Sequence, residues 1–332
     1  MKKTVLYIVI PCYNEEEVLP LTGGQFLGKI KGLISQGRVG DESRVLYVDD
    51  GSRDGTWRII EDQARADGHV MGIRQSRNRG HQNAVLAGLM ESYALGCDAA
   101  VSIDCDGQDD IDAVDRMLDA YEDGCEIVYG VREDRHTDTF FKRFTAESYY
   151  RFLRFMGAEV VFNHADYRLM GRRAIEALSQ FKEVNLFLRG MAPLIGFKST
   201  AVSYARRERQ AGRSHYPLGK MLKLAFDGIT SLSVKPIRMI TLTGIAISLI
   251  SLIGILWSLI TVWTGHAVPG WASTACIVFF MGGLQALFMG IIGEYIGKIY
   301  LETKGRPRYI IERRTFDARE PDERPICEVD KR

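Results

Sequence analysis

The chain has 332 residues, enough for about two domains and a sizeable core, and its 43 Lys and Arg almost balance its 42 Asp and Glu. With a net charge of +1, no global field draws it towards nucleic acid, and no DNA- or RNA-binding module is legible. Six scattered cysteines without a C-x-x-C pair exclude a zinc ribbon and a secreted disulfide scaffold, and suit reduced thiols.

The N-terminus, "MKKTVLYIVIPCYNEEE", pairs two lysines with an apolar run, as a signal peptide would. The run covers only residues 5–10 before Pro11, Asn14 and three glutamates, with no small-residue cleavage site, so a buried first strand is predicted. Strand and helix patterns then alternate to about residue 135. Strand-like runs lie at 5–10, 45–48, 70–74, 99–103 and 126–131, and helix-like stretches begin near Glu15, Asp54, His81 and Asp110. This alternation predicts an α/β fold with a doubly wound, mostly parallel sheet. Ser52 and Asp54 are placed to cap the second helix, and Asp109 and Asp110 the fourth, where the helix N-terminus favours carboxylates. His81, beside the third helix start, reads as a capping or packing residue rather than a ligand.

Residues 140–157 and 216–238 mix aromatic and basic residues at helical spacing. Such amphipathic helices fit a bilayer interface, or their apolar faces simply cover the sheet; the second leads directly into an apolar run, which favours the interface. Residues 240–263 and 274–293 carry no charge, and each run is long enough to cross about 30 Å of hydrocarbon. The bland alternative is a buried helical hairpin, which uncharged runs of this length disfavour. No Lys or Arg lies in 264–270, whereas Lys235 and Arg238 precede the first run and Lys298, Lys304, Arg306 and Arg308 follow the second. The positive-inside rule therefore puts both ends in the cytoplasm. The expected organisation is a cytosolic catalytic domain at 1–215 and an interfacial helix or linker at 216–238. Two transmembrane helices follow at 239–299 (about 240–263 and 272–295), then a tail at 300–332, either a short structured extension or disordered.

Polar residues gather at the ends of the strand-like runs: "PCYNEEE", "DDGSRDGT", "RNRGHQNA" and "DCDGQ". Open parallel sheets bind ligands at the carboxyl ends of their strands. Neither G-x-G-x-x-G nor G-x-x-x-x-G-K-[ST] occurs, and an EF-hand with Gly107 at its sixth position would have Ser102 and Ala113 at its liganding ends, which fails. Asp104, Asp106, Asp109 and Asp110 crowd one short stretch, and like charges this close need a positive partner or water between them. A divalent cation shared with substrate phosphates, as Mg²⁺ prefers, satisfies Asp104 and Asp106, with Gln108 adding a neutral oxygen.

Taken together, the four motifs resemble those of a family 2 glycosyltransferase with a GT-A fold. "ADYRLMGRRAI" and "ARRERQAGRSHYPLGKMLKLAFDGITSLS", followed by two apolar runs, are similar to its polyprenyl-phosphate branch, the dolichol-phosphate mannosyltransferases and bactoprenol glucosyltransferases. The resemblance covers about residues 4–310. It implies that Pro11, Tyr13, Glu15, Asp49, Asp50 and Asp104 bind the nucleotide, and that Asp104, Asp106 and Gln108 hold Mg²⁺ or Mn²⁺ at the diphosphate. It further implies phosphate contacts from Arg132, Arg206 and Arg209. Ser214 and Tyr216 match a G-x-S-x-Y stretch in which His215 replaces a common lysine, and Gly107 replaces a larger residue in D-x-D-x-Q. Arg143, with Arg151 and Arg154, meets lipid headgroups or the lipid phosphate, or forms a plain solvated face. Asp166 is either a catalytic base or the structural partner of Arg168.

The implied reaction is inverting transfer of a hexose from a nucleotide-diphosphate sugar, UDP-glucose as first guess, to undecaprenyl phosphate or another polyprenyl phosphate, serving cell-envelope glycan modification. The implied setting is the inner (cytoplasmic) membrane, with a homo-oligomer to be tested. A polysaccharide synthase would add Q-x-x-R-W and further spans, neither of which is present. A catalytically inactive sugar-nucleotide scaffold would be favoured by a broken D-x-D, whereas both aspartates stand.

Overall fold

The computed structural model describes residues 3–132, 164–184, 186–205, 235–264 and 270–317. The first four strands, β1 (Leu6–Cys12), β2 (Arg44–Asp49), β3 (Val70–Gln75) and β4 (Ala99–Ser102), alternate with helices α1 (Leu19–Ser35), α2 (Thr56–Ala66), α3 (His81–Ala94) and α4 (Ala113–Glu122). Then come β5 (Ile127–Arg132), β6 (His164–Gly171), α5 (Arg172–Ser179), α6 (Leu188–Leu194) and β7 (Ser199–Tyr204). Two long helices, α7 (Lys235–Trp263) and α8 (Trp271–Thr303), precede a last short strand, β8 (Ile311–Arg314).

The strands form one sheet in the order β7-β5-β6-β4-β1-β2-β3-β8. β1 to β4 run parallel, as the alternation predicts, whereas β6 is antiparallel to β4 and β5, and β8 is antiparallel to β3. β1 is buried along its whole length because both faces are covered. Its Leu6, Ile8 and Ile10 join Phe26, Ile30, Tyr47 and Met117 on one face; Tyr7 and Val9 join Val48, Ile73, Leu86 and Ile175 on the other. Chain order reverses between β1 and β4, and the crevice at such a switch point is where an open sheet takes its ligand.

The expected strands hold within two residues at each end. The tail shows more order than the sequence settles: residues 304–317 leave α8 and dock β8 on the β3 edge, and 318–332 lie outside the described residues. Arg314 clasps Glu91 of α3 with two hydrogen bonds of 2.6 and 3.2 Å. Thr315 exchanges two bonds with Gly72, and Tyr309, Ile311 and Phe316 pack on the core. The two expected spans fall on α7 and α8. Among the described residues, one segment, Phe280–Thr303 within α8, is long and apolar enough to cross a membrane. The expected helix at 140–157 and most of that at 216–238 lie outside the described residues.

Candidate active site

Two loops are stitched together at the carboxyl ends of β1 and β2. Asn14 N–H donates to Ser52 Oγ (2.9 Å), Glu15 N–H to Thr56 Oγ1 (2.8 Å), and Gly55 N–H to Glu16 Oε2 (2.7 Å). Asn14 takes φ +54°, a left-handed conformation that asparagine tolerates, and its Oδ1 accepts from Arg53 N–H. The helix-capping expectation therefore divides. Asp54 accepts from the Thr56 N–H and serves α2, but Ser52 is spent on the β1 loop.

Pro11 is buried, Tyr13 is exposed and Glu15 half-buried. Asp49 and Asp50 are turned inward. Asp49 Oδ1 accepts from Ser52 N–H (2.9 Å), while Arg74 Nε stands 3.4 Å from its Oδ2 without hydrogen-bond alignment. Asp50 accepts from the N–H groups of Arg79 (2.7 Å) and Gly80 (2.8 Å), which pins the β3–α3 loop over the β2 loop. Burial raises both carboxyls above their ordinary range. Gly51, at φ +68°, lies so close to Arg77 that a Cβ would come within 2.6 Å of its carbonyl carbon, so this crossing of loops admits no side chain.

β4 ends in the D-x-D. In the antiparallel β4–β6 ladder Ser102 faces Arg168, and continuing that register by two residues sets Asp166 opposite Asp104. Ser102 Oγ fastens the junction by donating to the Asp166 carbonyl (2.7 Å). His81, the first residue of α3, reaches between the two acids, with Nε2 3.6 Å from Asp104 Oδ1 and 3.5 Å from Asp166 Oδ2. The histidine read as a cap or packing residue is thus part of the cleft, and it brings the positive end of α3 with it. Burial opposes its protonation, but Asp166 and Asp104 outweigh burial and raise it.

Asp104 is pushed up to about 6, first by burial, with His81 opposing and Asp109, Asp166 and Asp106 adding to the rise. Crowded carboxylates of this kind accept a dication readily, because it relieves the repulsion that protonation otherwise relieves. Asp106 Oδ1 accepts from Gln108 N–H (3.0 Å) in a turn that needs φ +68° at Gly107; the glycine is there for conformation. Among the described residues no cluster of three or more His, Cys, Asp or Glu could by itself hold a metal ion. Two carboxylates and an amide oxygen fit a hard cation that takes its remaining ligands from substrate and water.

Asp109 does not cap α4. Its side chain is 1% exposed, accepts from Tyr204 Oη (2.6 Å) and lies 3.4 Å from Arg132 Nη2. A buried acid between β5 and β7 is worth more to the fold than a solvated one at a helix end. Asp110 also leaves the cap vacant, accepting the Asp112 N–H at 3.4 Å in the turn before α4. Arg132 is consequently fixed at the cleft wall, while Arg143, Arg206, Arg209 and Ser214 lie outside the described residues.

Asp166 has three partners. Arg189 of α6 binds it through two 2.9 Å hydrogen bonds, Arg168 donates at 3.3 Å, and His81 completes the group. Burial works against its charge, but His81 and Arg189 hold it well below the usual carboxylate range. Arg168, buried with its Nη1 on the Leu188 carbonyl (2.9 Å), ties the group to α6. Sequence reasoning missed Arg189. Its one signal is that it is the only charge in the apolar run 186–197, a cost that a partner must offset.

Comparison with known proteins gives the family. The sequence profile described as Glycosyl transferase family 2 matches residues 7–179. The chain is 48% identical over 93% of its length to the glycosyltransferase YkoT of Bacillus subtilis, covering 91% of that protein. It is 37% identical over 92% of its length to the bactoprenol glucosyl transferase of Shigella phage SfX, covering 98% of it. Among solved structures, mannosyl-3-phosphoglycerate synthase from Rubrobacter xylanophilus aligns with a TM-score of 0.47 at 15% identity, over 71% of this chain and 74% of that one.

Proposed function

Since this chain belongs to glycosyl transferase family 2, we propose that it moves a hexose, with UDP-glucose as the first donor to test, onto the phosphate of a membrane polyprenol such as undecaprenyl phosphate. The observation that carries the acceptor is the near end-to-end match to a bactoprenol glucosyl transferase, which extends through the long helices as well as the sheet. The uncharged runs in α7 and α8 support a two-span anchor in the cytoplasmic membrane with the sheet domain on the cytoplasmic side.

Asp104, Asp106 and Gln108 would hold Mg²⁺ or Mn²⁺ at the donor diphosphate, and the bound ion would supply charge neutralisation for the leaving group. The chain's own residues do the rest. Tyr13, Glu15 and the stitched β1 and β2 loops form the nucleotide side, with Pro11, Asp49 and Asp50 setting the loops' shape. Arg132, held by Asp109 and Tyr204, presents a fixed cation at the opposite wall. Arg206, Arg209 and Ser214 are assigned by resemblance to the phosphates, and Arg143, from its place in a basic and aromatic helical pattern, to the lipid phosphate.

The acceptor is a phosphate monoester whose second pKa near 6 leaves it mostly ionised at neutral pH, so attack at the anomeric carbon from the face opposite the leaving group needs no strong base. Asp166 suits that chemistry. Held ionised by Arg189 and His81, it is a weak proton acceptor and a strong fixed charge that orients Arg189. Protein in detergent with Mg²⁺ or Mn²⁺, undecaprenyl phosphate and a panel of labelled nucleotide sugars tests the reading. Label entering the lipid phase establishes the transfer and identifies the sugar. Free nucleoside diphosphate with all label left in water would place the acceptor elsewhere. A size measurement on the same sample tests for a homo-oligomer.

A further inference from the structure

The end of α8 touches the site through one short stretch of chain. Residues 181–184 and 186–187, between α5 and α6, have no regular structure, so side contacts decide where they lie. Among the described residues two such contacts hold this stretch and a third holds Leu188 at the start of α6. Arg308 Nη1 donates to the Phe181 carbonyl (2.8 Å), Val184 N–H donates to Glu302 Oε2 (2.8 Å), and Leu188 N–H donates to Gln82 Oε1 (2.7 Å). The first two come from the last turn of α8 and the tail behind it. The third comes from α3, beside His81. The residue after Leu188 is Arg189, which grips Asp166 through both carboxylate oxygens.

Glu302 stands in the final turn of its helix, where the macrodipole disfavours a negative charge. A charge-assisted bond to a backbone N–H of the stretch before α6 offsets that cost and gives the position a purpose. The strap behind it is firmly seated: β8 pairs with β3, and Arg314 holds Glu91. The α8 end is thus fixed to the sheet on one side and to the approach to Arg189 on the other.

We infer that Glu302 is a positioning residue for the transfer reaction: through Val184 it sets where Leu188 and Arg189 lie, and so makes assembly of the Arg189–Asp166 pair depend on the seating of α8. The inference rests on the activity proposed above, so its test has one arm that needs no acceptor. Full-length wild type, Glu302→Ala and Glu302→Gln in undecaprenyl-phosphate liposomes are compared by backbone hydrogen exchange and by kinetics with UDP-glucose. Glu302→Ala is expected to speed exchange at Leu188 and Arg189 at least fivefold, and to lower kcat about tenfold with the donor KM within twofold. Glu302→Gln, which keeps a carbonyl acceptor for Val184, restores most of both. Faster exchange confined to Val184 overturns the inference, as does an unchanged kcat in an active preparation. If wild type transfers nothing, the functional reading fails, while the exchange arm still decides whether Glu302 controls Arg189. Arg308→Gln, which loosens Phe181 instead, carries the same exchange readout if Glu302→Ala does not insert.

Discussion

In the sheet, Leu, Ile, Val and Tyr side chains from β1 to β7 are buried against one another and against α1 to α5. Along α7 and α8 the same residue types point outward: Leu242, Ile250, Trp257, Phe280 and Met289 are each more than 65% exposed. The apolar payload is similar but its disposition is reversed. A sheet domain hides its hydrocarbon because water surrounds it, and a helix pair that shows hydrocarbon on its outside is suited to a surrounding that is itself hydrocarbon. On the reading proposed here, one chain is matched to two solvents, and the reactive groups of donor and acceptor meet where those solvents meet.

The comparison can be broken from either side. The largest expected effect lies in the sheet domain: Asp106→Ala should cut transfer on the order of 10³-fold while circular dichroism and membrane insertion stay as in wild type. Substantial turnover by that variant would remove the D-x-D from the chemistry. Next comes the helix pair. Leu287→Arg replaces one exposed residue by another and should cost nothing if α8 stands in water. If α8 spans a bilayer, it should cost about 2.5–3.5 kcal/mol in an insertion assay.

Smaller is the effect of Arg189→Ala, expected to lower kcat about 10- to 100-fold by releasing Asp166. It has a pH signature. The Asp166 carboxyl lies below its unfolded value near 3.8, so the stability the pair contributes is complete above that pH and is lost as pH falls through the lower, folded value. Below about pH 5.5, where His81 is already protonated, the urea-stability gap between wild type and Arg189→Ala should therefore be flat to about 4.5 and close only below about 3.8. Closure between pH 5.5 and 4.5 would show that the acid is not held as described. Smallest is Arg314→Ala, which removes a part-buried pair to Glu91 and should cost about 1 kcal/mol in thermal unfolding.

What was readable in the sequence follows from how local each signal is. The central strands were readable because burial on both faces makes them unbroken apolar runs, and Asp104, Asp106 and Gln108 because they are contiguous. β8 was hidden because "IERR" is short and charged and its partner strand lies far back in the chain. His81, Asp166 and Arg189 come from α3, β6 and α6, and only tertiary folding brings them together. Asp109 misled for the opposite reason. Its neighbourhood satisfies helix-cap logic, and that local rule lost to a buried bond with Tyr204, some 95 positions away.

The place of β8 at the far end of the chain also sets a timetable. Its partner edge on β3 leaves the ribosome about 240 residues before β8 does. At roughly 5–20 residues per second, that strand edge waits on the order of ten to fifty seconds for its last neighbour, and both long helices are made in the interval. During synthesis the nascent domain therefore carries an open β-edge of the kind that invites pairing with another chain. A ribosome stalled between α8 and β8 should leave a polypeptide whose β1 to β7 strands are paired while the β3 edge is still adhesive.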